Sequence, residues 1–169
     1  MPNISSFHPW IVFVHIIGVF VFLLAHGVSV GVMLRLRRER DPAAIRALLD
    51  LSSGTMVVMS VGFLIWFIAG VLAGFSGNYW TGRAGWWLWA SLAIAIVVVG
   101  LMTPLGRFYL DRVRAAVGID PKAKGQPAPA TVDAAALEAA IMSGRPFLLT
   151  AVGVGSVVVL AWLMMFKPF

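Results

Sequence analysis

The sequence predicts an all-α, polytopic membrane protein. It reads as a single domain over residues 1–169, a four-transmembrane-helix bundle with both termini on the outer (periplasmic or extracellular) side. Three observations predict this. The 169 residues are 60% hydrophobic and only 12% charged, where soluble domains run near ~45–50% and about 25%, and mean hydropathy is +0.93. Four apolar runs contain no Asp, Glu, Lys or Arg, and each reaches the ~20 residues that one crossing needs. Finally, 11 of the 13 Lys and Arg residues lie in two of the three segments between the runs.

The first run is Pro9–Leu34. It begins beside Trp10, a ring suited to the headgroup zone, and ends on Arg35, Arg37, Arg38 and Arg40. No Lys or Arg precedes it and it exceeds the length of a signal-peptide core, so no cleavable leader is expected. Residues 35–54 form the first charged loop, in which Asp41 and Pro42 read as N-cap and first residue of a short helix, Ala43–Leu51. The second run, Thr55–Phe75, leads into an aromatic segment with Tyr79, Trp80, Trp86, Trp87 and Trp89.

The third run, Gly85–Gly106, contains Thr103-Pro104, which should kink or end it. A second charged loop, 107–145, holds a Pro-rich linker over 118–130. A short Ala-rich helix follows over Val132–Met142, with Thr131 as its N-cap. The fourth run is Pro146–Phe166. None of the runs alternates polar and apolar residues as barrel strands do, so all four are helices.

Orientation follows from charge. The two loops carry 11 basic residues and the other side only Arg83 and Lys167, which places both loops in the cytoplasm of a bacterial inner membrane. All seven acidic residues fall in the same loops. The net charge of +6 is therefore a topology signal; it suits anionic lipid headgroups and calls for no nucleic-acid partner. With no cysteine, thiol catalysis, Cys-bound zinc and iron–sulfur clusters are excluded. No carboxylate, Lys or Arg lies within a run, so proton relays and ion-coupled transport lack their parts.

The histidines carry the chemistry. His8, His15 and His26 are the only three, and all lie in the first helix or at its start. At about 100° per residue their spacings return to within about 20° of one direction, on a stripe shared with Val19, Phe22 and Met33. His15 and His26 then stand about 16 Å apart along the axis. Ionisable side chains at membrane depth usually mark a site. Imidazole binds haem iron, and also copper, for which Met sulfur is a soft partner. The candidate ligands are His15 and His26, with His8 and Met33 behind them. A second haem ligand would have to come from Met56, Met59, Met102, Met164 or Met165, from water, or from another subunit. The opposing reading makes the histidines polar interhelical contacts.

Gly27 and Gly31, Gly70 and Gly74, and the Gly153/Gly155 pair offer close helix approach or a docking face. Intramembrane hydroxyls, Ser29, Ser60, Ser91, Thr150 and Ser156, are expected to bond back to helix carbonyls or across helices.

The stretch His15-Ile-Ile-Gly18, the basic segment Leu34–Arg40 with Asp41-Pro42-Ala43, the exit Pro104-Leu-Gly106-Arg107 and the ending Leu163-Met-Met-Phe-Lys167-Pro168 together resemble a known group. It comprises small bacterial integral-membrane proteins related to CopD copper-resistance domains and HemJ-type protoporphyrinogen oxidases. The resemblance implies a four-helix bundle in which a first-helix histidine, matched by His15, binds haem b. Those relatives carry a charged residue on the third helix, whereas this chain has none between Gly85 and Gly106. It also departs from the HemJ pattern at Phe20–Leu24 and Ala25-His26, so the resemblance extends to haem binding and not to protoporphyrinogen oxidation. The expectation is a protein of membrane electron transfer, binding haem b or copper. The alternative is a non-catalytic accessory or assembly subunit, within a homodimer or a larger membrane complex.

Overall fold

A computed structural model describes residues 4–81, 85–119 and 132–168. Among them every regular element is helical. A 3-10 turn, Ile4–Phe7, leads into α1 (His8–Leu36); α2 (Pro42–Ser76), α3 (Trp86–Ala116), α4 (Ala134–Ile141) and α5 (Arg145–Phe166) follow. Four segments are long and apolar enough to cross a membrane. Arg83, Lys122, Lys124 and the expected cap Thr131 lie outside the described residues.

The helix boundaries are set by local chemistry. Asp41 caps α2 as expected, its carboxylate accepting from the amides of Ala43 and Ala44 at 3.1 and 3.3 Å, with Pro42 at the first position. The short helix and the second run are, however, one continuous helix of 35 residues, about 52 Å long. Ser52, Ser53 and Gly54 mark a fall in hydropathy without breaking the ladder. In the same way α3 runs through Pro104 to Ala116, so the proline does not end it. Asp133, in place of Thr131, caps α4 by accepting from Ala136 N at 2.9 Å.

Three helices stop on left-handed residues, α5 among them at Lys167 with φ 44°. After α2, Asn78 takes φ 56°, with Tyr79 N–H donating to Gly74 O at 2.9 Å and Asn78 N–H to Phe75 O at 3.1 Å. After α3, Gly118 takes φ 77°, with Ile119 N–H donating to Arg114 O at 2.9 Å. This pairing satisfies the orphan carbonyls of the last turn.

The helices alternate in direction and form two hairpins. α1 and α2 lie against each other along their length; α3 packs on α5 and, at its far end, on α4; contact between the hairpins is sparse. Packing is densest at the two ends. At the basic end Leu36, Ile45, Leu49, Tyr109, Val113 and Ile141 close a core contributed by α1 to α4. At the other, aromatic end Trp87, Leu88 and Leu163 pack with Tyr79 and Trp80, and Lys167 Nζ sits 4.8 Å from the Tyr79 ring centre. Between the ends the outer faces are apolar and exposed, Leu24 at 72% for one, as helices bathed in lipid require.

The closest approach in the α1–α2 hairpin is at glycine. A Cβ on Gly18 would stand 2.5 Å from Trp66 N, and one on Gly62 would stand 2.7 Å from Phe22 N. Of the spaced pairs that the sequence suggested, Gly70, Gly74 and Gly153 lie against His15, Trp80 and His26, whereas a methyl added at Gly27, Gly31 or Gly155 would meet nothing within 4 Å. Gly18→Ala and Gly62→Ala should each destabilise the protein by about 1–3 kcal/mol through overpacking. Gly27→Ala should be neutral or stabilising by up to about 1 kcal/mol. Unfolding in detergent, followed by circular dichroism, measures both.

Candidate functional site

The three histidines project from one stripe of α1 but meet different neighbours. His8 Nδ1 lies 2.7 Å from Ser76 Oγ, at the end of α2. Because that hydroxyl donates to Ala73 O at 3.2 Å, the imidazole is the donor in the pair. The His8 ring also meets Tyr79 edge-on, with centroids 6.1 Å apart. His8 is thereby a polar clasp between the start of α1 and the end of α2.

His15 Nδ1 lies 2.9 Å from the carbonyl oxygen of Trp66. A carbonyl only accepts, so Nδ1 carries the proton, and in the neutral ring the lone pair is on Nε2. The ring fits because residue 70 is glycine: a Cβ there would stand 2.9 Å from both Nδ1 and Cε1 of His15. Around it Trp66, Phe22 and Phe63 form an aromatic cluster, with Phe22–Trp66 and Phe63–Trp66 centroids 5.5 and 5.3 Å apart.

His26 turns to the other hairpin. Its ring stacks on Phe22 at 5.6 Å and 7°, while its Nε2 is buried without a hydrogen-bond partner. That nitrogen faces Gly153 of α5, where a Cβ would stand 2.7 Å from it and 3.1 Å from the Cε of Met102 on α3. His26 Nε2 and the Met102 methyl thus converge on one point between α1, α3 and α5. One turn away on α5, Thr150 Oγ1 is also buried and unpartnered. The other hydroxyls behave as expected: Ser60, Ser91 and Ser156 donate to Met56, Trp87 and Gly153 carbonyls at 2.7–2.8 Å.

Each histidine is therefore received by a glycine of another segment, at 77, 70 and 153. The sequence showed those glycines but not which histidine each admits. It gave no sign of Trp66 O as an acceptor, since any residue has a carbonyl. Met33 lies away from this arrangement, packed on the basic-end core. No group of three His, Asp or Glu side chains converges among the described residues, so an all-imidazole and carboxylate metal cage is not formed there.

The fit to a cofactor differs between the two deeper histidines. His15 has its proton-bearing nitrogen tied to a carbonyl, the outer-shell bond that orients most metal-binding imidazoles, and its Nε2 has the lone pair a metal takes. At His26 the Gly153 backbone stands too near Nε2 for a porphyrin plane to pass between them. A single soft ion would suit imidazole and thioether donors, but it is the Met102 methyl that faces the notch, so Met102 would have to turn its sulfur toward His26. Set against known proteins, the chain matches no family model, no curated protein and no solved structure.

The same geometry separates the histidines energetically. In cofactor-free protein His15→Leu forfeits the bond to Trp66 and should cost about 0.6–2 kcal/mol. His26→Leu removes an unpartnered buried polar atom and should be neutral or stabilising. Parallel unfolding curves of the two variants check the ordering.

Proposed function

We propose that the chain is a small multi-pass protein of the bacterial inner membrane, both termini outside, that binds haem b at His15 and takes part in membrane electron transfer. The observation that carries this reading is the Nδ1–H bond from His15 to the Trp66 carbonyl at 2.9 Å. It fixes the ring's tautomer and direction and leaves Nε2 as the nitrogen to offer to iron. The resemblance to CopD- and HemJ-related proteins supports the same residue.

Bound haem supplies one-electron chemistry, and the chain's residues set its surroundings. Trp66 holds the imidazole through its carbonyl and sets its ring against it, with Phe22 and Phe63 packed on Trp66 in turn. No carboxylate, Lys or Arg lies within the four apolar runs, which suits electron movement without a coupled proton relay. His26 with Met102 suits copper as the alternative cofactor, because both donors are soft enough and no plate-shaped space is needed.

A second reading, an accessory or assembly subunit without its own cofactor, is favoured by a different observation. Gly27 and Gly31 lie open on α1, beside exposed Leu24 and Val28. Small residues facing outward permit another helix to dock.

The test is a reduced-minus-oxidised visible spectrum of the detergent-purified chain, with metal analysis of the same sample. The expected result is a b-type spectrum that is lost in His15→Ala and kept in His8→Ala. Copper that is lost in both His26→Ala and Met102→Leu would support the alternative cofactor. Protein expressed with both haem and copper supplied, yet carrying neither, would sink the redox reading and leave the accessory subunit.

A further inference from the structure

The basic end of the molecule holds a pocket of about 450 Å³, lined by Tyr109, Arg112, Asp133, Ser143, Arg145 and five alanines of α3 and α4. Small side chains there leave the space open, and the functional groups around it share one preference. Arg112 and Arg145 enter no ion pair among the described residues, whereas Arg35, Arg40 and Arg114 are matched with Glu39, Glu138 and Asp111. The single lining carboxylate, Asp133, is occupied in capping α4 through Ala136 N. Arg37 adds further positive charge by donating to the Ser143 carbonyl at the pocket's edge. α5 begins at Arg145, and its N-cap, Gly144, offers no side chain to its first amides.

The second observation is Tyr109. It is 1% exposed, among the most deeply buried large side chains of the chain, yet its hydroxyl has no hydrogen-bond partner. A buried hydroxyl without a partner costs about 1–3 kcal/mol. Two unmatched guanidinium groups, uncapped amides and a waiting hydroxyl donor together describe a receptor for an anionic oxygen-rich group.

The surroundings indicate what carries that group. Phe108, next to Tyr109, and Phe147 and Leu148, within one turn of Arg145, are 64%, 57% and 58% exposed. Pro146 opens the last apolar run, so the pocket lies at the depth where the membrane changes from headgroup to hydrocarbon. We infer that this pocket binds the phosphate of an anionic phospholipid, with Arg112, Arg145 and the Tyr109 hydroxyl on the headgroup and the adjoining aromatic and aliphatic face on the acyl chains. The site is independent of the cofactor at α1.

The experiment is native mass spectrometry of the full chain in detergent, offered equimolar phosphatidylglycerol and phosphatidylcholine. The wild-type protein should retain phosphatidylglycerol with roughly tenfold preference, consistent with two charge-assisted contacts. Arg112→Gln/Arg145→Gln should abolish the preference. Tyr109→Phe should lower it about fivefold, while its unfolding in lipid-free detergent stays at or above wild type, since the hydroxyl it loses bonds nothing. Equal retention of the two lipids, or a preference that survives the double substitution, overturns the proposal. A further arm adds inorganic phosphate in large excess over the lipid. Displacement of the lipid would overturn the phospholipid assignment in favour of free phosphate, and retention supports it.

Discussion

The hairpin of α1 and α2 depends on the approach of one helix backbone to the other at Gly18 and Gly62. Neither position tolerates a Cβ: Gly18 faces the backbone of Trp66, and Gly62 faces that of Phe22. Lipid offers no hydrophobic force to bring helices together, so close contact of backbones and side chains has to do it. Once the contact is made, the antiparallel register is fixed along the whole hairpin. His15 then falls opposite Gly70, and seven residues earlier His8 falls opposite Gly77. The hydrogen bonds to Trp66 O and Ser76 Oγ follow from that register. A shift of one residue would turn both rings toward side chains instead of glycines.

Much of the architecture was legible because lipid imposes simple demands. Four charge-free runs and an Asp-Pro start at Asp41 each have one physical reading, and both are present as helices and a cap. The helix limits were less legible, because hydropathy records where the membrane ends and not where the hydrogen-bond ladder ends. Arg46 and Asp50 are good enough helix residues for α2 to begin at Pro42, well before its apolar stretch, and α3 continues through Arg107 and Arg112 for the same reason. Pro104 is tolerated since a membrane helix keeps its shape when neighbours and local adjustment absorb one lost bond.

The histidine stripe was legible as a stripe, yet not as a set of contacts. α1 is apolar on every side, so no face of it announces which neighbour it meets. His8 and His15 meet α2, while His26 reaches across to α3 and α5. A ring position on one helix is a single angle, but the partners around that helix change with depth. The Gly27/Gly31 pair misled in the same way, although Gly70, Gly74 and Gly153 do receive neighbouring side chains. Gly27 and Gly31 have the right interval for helix contact, but the interval says nothing of which side of the helix another chain segment occupies.

Among the described residues, four buried polar atoms have no hydrogen-bond partner: His26 Nε2, Thr150 Oγ1, Trp80 Nε1 and Tyr109 OH. In a low-dielectric surrounding each is a cost unless something satisfies it. Trp80 Nε1 lies against Gly74, with Leu88 also pressed there, so it is enclosed by packing and has no evident room for a ligand. His26 and Thr150 stand a turn apart across the Gly153 notch, beside a methionine. Tyr109 lines a pocket with Arg112 and Arg145, which enter no ion pair among the described residues. The costs that packing does not explain therefore fall at two places with opposite chemistry. One lies between three helices beside the Met102 methyl, and the other lies beside Arg112 and Arg145 at the basic end. His8 and Ser76, by contrast, pair with each other across α1 and α2.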